Sequence, residues 1–401
     1  STLFWKTLCY QAKLQPTNAL TAKDCFIQAL KCDNQLALFT PANLFCESKN
    51  IHMESGLNSA LDEFHMLKAN VLSDDVKTEI EHKIKYINTI LTCEKYNFST
   101  SPDLEEDLKA VRALKEIKSL SKLSPTIRAI TATYLIVLQL DNRNFEITND
   151  EAFLLLQNIY ETPDLASWIY AKSDYLLARL RLANRTYMIT EDDAIRLFQK
   201  VSQNKNAPLI TSGLADFYAA EKRIYFFTNL ITYNQAFELF KNILQNSQIP
   251  KHFHECAKYY MAQMRSENFT ALIDDVQAFQ LLQSVDQSQI ALQYIKEYAK
   301  FLMAKMRLEN RIVLIDDTKA FQLLQSFSQN PIISQYYQEY AKYLMAQMRF
   351  QNRTILIDDA KAFEILQNVK NTQFFKEIQT SAKNLVEKMK KQNCTMLIDE
   401  D

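Results

Sequence analysis

Ala257 to Val285 reads AKYYMAQMRSENFTALIDDVQAFQLLQSV, Ala299 to Phe327 reads AKFLMAKMRLENRIVLIDDTKAFQLLQSF, and Ala341 to Val369 reads AKYLMAQMRFQNRTILIDDAKAFEILQNV. The three stretches align without a gap at a spacing of 42 residues. Carried backward, the same spacing puts Ala110, Ala152, Ala194, Ala236, Ala278, Ala320 and Ala362 in one column. A second column holds Val111, Phe153, Ile195, Phe237, Phe279, Phe321 and Phe363, and a third holds Ala178, Ala220, Ala262, Ala304 and Ala346. A fixed period of this length is the signature of a repeat architecture, in which each unit buries its apolar face against its neighbours.

Each unit contains two helical patterns. In the first, Ala257, Tyr260, Met261 and Met264 share a helical face. The second opens at Ile-Asp-Asp (273 to 275, 315 to 317, 357 to 359) and runs through Ala-Phe-x-x-Leu-Gln. An aspartate there offers an acceptor to the free amides of the first turn and suits the helix dipole; Thr190 with Asp193 forms a capping-box variant. Prolines 125, 163, 208, 250 and 331 fall between one unit and the next. The small alanines allow close helix approach, and the adjacent phenylalanines fill the interior. The pattern weakens before residue 126. Ile84 to Cys93 with Asp103 to Ile117, residues 42 to 70, and Leu3 to Lys31 read as divergent units. The expected organisation is therefore residues 1 to 125 as divergent helical repeats and 126 to 401 as regular ones. Met396-Leu397-Ile398-Asp399 is followed by no second helix, so the last repeat is expected to be truncated.

Composition supports an all-α chain. There are two glycines, Gly56 and Gly213, in 401 residues, against roughly 28 at the usual share of about 7%. Two glycines so far apart build neither a G-x-G-x-x-G nor a G-x-x-x-x-G-K-[ST] loop, and a β-rich fold needs more turn residues, whereas glycine is disfavoured in helices. The charge balance, 46 basic against 47 acidic residues, argues against nucleic acid as a partner. Ile130 to Leu140 is too short to span a bilayer, so no membrane insertion is expected. Seven cysteines without a C-x-x-C pair fit a reducing, cytosolic compartment.

The unit Ala341 to Gln367 resembles the Sel-one-like repeat, a relative of the tetratricopeptide repeat, through Ala341, Tyr343, Met348, Ile355, Asp358 or Asp359, Lys361 and Ala362. The resemblance extends over about residues 127 to 398. This chain departs from that family in its longer period, its missing tryptophan and its missing glycines. The resemblance implies a right-handed α-solenoid of helix-turn-helix repeats that acts as a protein-binding scaffold without catalysis. Similar arrays are frequent in proteins that intracellular bacterial pathogens deliver into host cells, so a secreted effector or adaptor binding a host protein is the expectation it carries. The alternative is an enzyme or regulatory subunit with its catalytic part in the divergent N-terminal region or beyond residue 401. Histidines occur only at 52, 65, 82, 252 and 254, in no recognisable catalytic or cofactor-binding context.

Three features invite a functional reading. His252 and Cys256 lie one helical turn apart, as two metal ligands would, but they occupy columns filled elsewhere by Tyr294, Tyr336, Tyr298 and Tyr340, which reads as packing. Arg181, Arg223, Arg265, Arg307, Arg349 and Lys390 recur once per unit. They form either a basic stripe for an acidic partner or a structural set that pairs with the Asp-Asp opening of the second helix. On a helical wheel Gln263 and Ser266 lie at about +40° and −20° from Tyr259, opposite Tyr260, Met261, Met264 and Ala257. The resulting candidate binding stripe is Tyr175, Arg179, Phe217, Glu221, Tyr259, Gln263, Phe301, Lys305, Tyr343 and Gln347. Its aromatics suit either a partner groove or packing between adjacent first helices. The Asn-x-Ser/Thr triplets at 97, 184, 268, 352 and 393 are glycosylation signals only in a secretory setting; four of them share one repeat column, which points to structure. Asn142, Asn184, Asn268, Asn310, Asn352 and Asn393 sit where the related family places glycine, and are expected to adopt the left-handed conformation at helix ends. Phe226 breaks that column, so the hairpin turn there is expected to differ.

Overall fold

The computed structural model describes residues 54–71, 73–97, 104–120, 123–141, 147–225, 229–370 and 376–391. The expected units at Leu3 to Lys31 and the start of 42 to 70, the turns at Asn142, Phe226 and Asn393, and the terminal Met396 to Asp399 lie outside the described residues. The described residues are all-α. Sixteen helices follow one another: α1 Glu54–Asn70, α2 Asp74–Asn97, α3 Leu104–Ser119, α4 Pro125–Leu140, α5 Asn149–Glu161, α6 Ser167–Leu182, α7 Glu191–Gln203 and α8 Leu209–Tyr225, then α9 Tyr233–Gln245, α10 Lys251–Ser266, α11 Asp275–Gln287, α12 Gln293–Leu308, α13 Asp317–Gln329, α14 Gln335–Phe350, α15 Asp359–Lys370 and α16 Lys376–Lys391. None of them is long and apolar enough to cross a membrane.

The chain divides within α8 into two compact units, Ser1–Asp216 and Phe217–Asp401. In the first, sequential packing runs from α1 to α7, and α4 also packs on α6. In the second, sequential packing runs from α9 to α16, with α10 against α12 and α14 against α16. Neighbouring helices in sequence are thus neighbours in space, as in a helical repeat array.

Local chemistry explains where the helices begin. Thr148, Thr190, Thr232 and Asp274 each accept from the third backbone amide of α5, α7, α9 and α11, and the side chain at that third position reaches back to the cap amide. Asp316 and Asp358 accept from the Lys319 and Lys361 amides in the same way. In the Asp-Asp pairs the first aspartate is therefore the cap, which leaves the second for another partner. Pro125 stands at the first position of α4 behind a Ser124 cap, and Pro250 precedes the first residue of α10 without a side-chain capping bond.

Helix ends follow the asparagine column. Asn184, Asn268, Asn310 and Asn352 have φ of 55°, 59°, 57° and 56°. At Asn268 the geometry is a Schellman closure. Its amide donates to the Arg265 carbonyl at 3.0 Å, and the Phe269 amide donates to Met264 at 2.7 Å. The alanine columns are fully buried, and around them Phe279, Leu282, Phe321, Leu324, Phe363 and Leu366 form the interior of the second unit.

Candidate functional site

The recurrent arginines are tied into their own hairpins. Nε of Arg265, Arg307 and Arg349 donates to Oδ1 of Asp275, Asp317 and Asp359, each at 2.7 Å. Their Nη1 groups reach the loop carbonyls of Thr270, Ile312 and Thr354 at 3.5, 3.2 and 3.2 Å. Arg181 bonds the Thr186 carbonyl at 3.2 Å and lies 3.9 Å from Glu191. Where residue 233 is a tyrosine instead of an acid, the Arg223 guanidinium sits 4.0 Å over its ring. Lys390 is exposed, with its ammonium 6.0 Å from the Phe363 ring. At Arg265, Arg307 and Arg349 the geometry is that of an internal fastening of the hairpin, with the second aspartate of the pair as its acceptor.

A second arginine set completes these sites. Arg353 donates to the Leu308 and Arg307 carbonyls at 2.6 and 2.9 Å, and to Asp317 at 2.7 and 3.1 Å. Arg311 bonds the Ser266 and Arg265 carbonyls and Asp275 in the same manner, and Arg185 bonds the Gln139 carbonyl. Each guanidinium thus neutralises the carbonyl end of the preceding first helix, where a cation is favoured. In Asp317 the Arg353 hydrogen bond, opposed by partial burial and aided by Arg307, holds the carboxyl below its usual range. In Asp275 partial burial pushes up, but Arg265 and Arg311 together outweigh it and the result is also lowered. At the position of Arg311 and Arg353 in the preceding unit stands Phe269, whose ring stacks on Tyr233 at 4.4 Å. Aspartate and arginine are there replaced together by two rings. The recurrence of Arg185, Arg311 and Arg353 at multiples of the repeat spacing was the available sequence signal, obscured by that substitution.

The candidate stripe does not form one open face. Tyr175, Phe217, Tyr259 and Phe301 are buried, at 7, 3, 5 and 4% exposure, and Arg179, Glu221, Gln263, Lys305, Tyr343 and Gln347 are half-buried. In the first unit Tyr175 lies against Phe198 and accepts from Arg179 at 2.9 Å. In the second, Phe217 lies among Phe240, Phe253 and Tyr260, and the Tyr260 hydroxyl donates to Glu221 at 2.5 Å. A wheel assigns a helix one buried and one open face, but α10 packs on α9, α11 and α12 at once, so Tyr259 and Ser266 are buried as fully as Tyr260 and Met261.

Five stripe residues nevertheless meet in one place. Tyr259 and Gln263 of α10, Phe301 and Lys305 of α12 and Tyr343 of α14 line a concavity of about 360 Å³. A helical wheel does not reveal the rest of the lining, which includes Glu267, Tyr298, Tyr336, Tyr337, Tyr340 and, on α16, Glu377 and Ile378. The run Tyr336-Tyr337 followed by Tyr340 was its sequence signal. The rings interlock at mixed angles, Tyr298 and Tyr337 edge to face at 5.1 Å and 81°, and Phe301 and Tyr340 tilted at 5.7 Å and 53°. Burial raises the phenol pKa of Tyr259, Tyr298, Tyr337, Tyr340 and Tyr343, so these walls are neutral. Lys305 is paired with Glu267 at 2.8 Å. Burial acts to lower its pKa, but Glu267 prevails and the ammonium stays charged. Gln263 Oε1 is buried without a hydrogen-bond partner.

His252 and Cys256 occur elsewhere in this unit. The His252 ring lies 4.4 Å from that of Phe253, and burial lowers its pKa. Burial, reinforced by Glu221 and Glu255, pushes the buried Cys256 thiol up to about 12. No group of three or more potential metal ligands is found among the described residues. A further feature that periodicity did not reveal is a set of exposed apolar residues in the hairpin turns, with Val313 85% and Ile355 92% exposed beside Leu314 and Leu356. No family model, curated protein or solved structure matches this chain.

Proposed function

We propose that the protein is a protein-recognition scaffold, a right-handed α-solenoid of degenerate Sel-one-like repeats with a 42-residue period, and that the tyrosine-lined concavity is its recognition groove. The observation that carries this reading is the convergence of Tyr259, Tyr298, Phe301, Tyr337, Tyr340 and Tyr343 from three successive first helices around one cavity. Aromatic side chains held rigid by their neighbours offer large contact area at small entropic loss, which is why such residues dominate interface energetics. Among the described residues that line the cavity, no nucleophile stands paired with a base. The resemblance extends the proposal to a delivered effector or adaptor whose partner is a host protein in a reducing compartment.

Photo-crosslinking tests it. Benzoylphenylalanine is placed at Tyr343, half-buried on the cavity wall, and separately at Lys361, exposed on α15. Adducts formed from position 343 and absent from position 361 support the reading. Adducts from 361 alone, or equal labelling from both, reject it.

A further inference from the structure

We infer that the groove takes a basic side chain, an arginine guanidinium, presented by the partner polypeptide; the inference rests on the recognition-groove reading above. Three observations on the cavity lining carry it.

The first is the wall itself. Neutral phenol rings at mixed angles present both faces and edges to the space they enclose, and a ring face attracts a cation through its quadrupole. The second is the set of acceptors. Gln263 Oε1 is buried and lacks a donor, and the Glu377 carboxylate on the rim forms no ion pair with any described residue. A buried acceptor without a donor is unfavourable, and since the Gln263 oxygen has almost no exposed surface, a ligand removes that penalty only by drawing the Gln263 amide round toward the cavity. The third is the charge balance. Among the described residues the lining contains Glu267, Glu377 and one cation, Lys305, so its formal charge is −1. The Lys305 ammonium is already held by Glu267 at 2.8 Å and lies 3.8 Å from Glu309. Among the described residues, an incoming carboxylate or phosphate would meet two acidic groups and no cation that is not already paired, whereas a guanidinium meets ring faces and a carboxylate that no described residue pairs.

Arginine fits better than lysine. Its planar head stacks on a phenol while its five N–H groups reach acceptors on opposite sides, and it sheds water more readily than an ammonium. A volume of about 360 Å³ holds one such side chain with its flanking backbone.

The test pans a phage-displayed random dodecapeptide library on the full chain. Selected clones are then rescreened on Glu377→Lys, a rim change that leaves the packed rings in place, and on Tyr298→Ala with Tyr337→Ala. The expected result is that clones lost on Glu377→Lys and on the tyrosine variant share an arginine. In a synthetic copy, exchanging that arginine for its neutral counterpart citrulline weakens binding about tenfold or more. Clones that depend on the tyrosines but contain no basic residue, or that bind equally with citrulline, overturn the arginine assignment and leave the groove standing. If no clone depends on any groove residue, both readings fail.

Discussion

Arg353 is the most exacting place to perturb this structure. Its guanidinium makes four hydrogen bonds, two to the Leu308 and Arg307 carbonyls at the end of α12 and two to Asp317 at the start of α13, and its side chain is 13% exposed. Hydrogen bonds to charged groups contribute about 1.5–3 kcal/mol each when isolated, but these share one donor group and lie partly in solvent. Asp317 also keeps Arg307 at 2.7 Å when Arg353 is removed. The expected loss for Arg353→Met, which preserves most of the aliphatic stem, is therefore about 3 kcal/mol and not the sum of four bonds. Because Arg353 joins one hairpin to the next, the loss falls on the coupling between units, and the C-terminal helices are expected to unfold ahead of the rest. Urea denaturation followed by circular dichroism reads both effects. The comparison is Lys361→Ala, which removes a pair with Glu364 whose two side chains are more than half exposed and is expected to leave the midpoint unchanged. A double-mutant cycle of Arg353→Met with Asp317→Asn should give a coupling of about 1–2 kcal/mol. If Arg353→Met is no more destabilising than Lys361→Ala, the inter-unit fastening described above is wrong.

Other expectations follow from the same geometry. Asp275 and Asp317 have folded pKa values below the ordinary aspartate value of about 3.9, so their stabilising contribution is complete above that value and disappears as pH falls through the lower, folded one. Urea midpoints should hold from pH 7 to 5 and fall below pH 4, with a smaller acid-induced drop in Arg353→Met; an identical drop in both proteins contradicts the assignment. Asn352→Gly should leave thermal stability unchanged or raised, while Asn352→Ala should lose about 1 kcal/mol, because only the latter resists a φ of 56°. Phe301→Ala should lose about 3–5 kcal/mol as a buried ring stacked at 4.8 Å on Phe327, whereas Tyr343→Ser, half-buried on the cavity wall, should lose about 1 kcal/mol or less. Comparable losses at the two sites would show Tyr343 to be a core residue.

Much of the fold is written in local chemistry and so is readable without coordinates. The alanine and phenylalanine columns are interior because a repeating unit must bury the same face each time. The threonines and aspartates that open second helices are caps because free amides need acceptors. Asn184, Asn268, Asn310 and Asn352 occupy the left-handed region, so the scarcity of glycine in these turns is a substitution rather than an absence of turns. Lateral packing is harder to read. A helical wheel for α10 marks Tyr259 and Ser266 as an open face, yet both are buried, since a helix inside a stack has neighbours on three sides. The arginine fastening at Arg311 and Arg353 is hard to read from sequence because Phe269 interrupts its column. For the cavity, half of the stripe pointed to the right helices. Tyr298, Tyr336, Tyr337 and Tyr340 belong to columns that look like packing, and only the approach of α12 and α14 makes them a wall. The exposed Val313, Leu314, Ile355 and Leu356 recur with the repeat, but periodicity alone does not tell an exposed column from a buried one, and an apolar residue beside a helix start reads as core.

The central claim is that partners are held in the tyrosine-lined cavity of the second unit. Hydrogen–deuterium exchange of the full chain, alone and with the partner identified by crosslinking, tests it most directly. The account predicts slowed exchange over residues 259–267, 298–305, 336–343 and 376–381, the segments that line the cavity. Protection confined to the exposed turns around residues 313–314 and 355–356, or to the first unit, would contradict it.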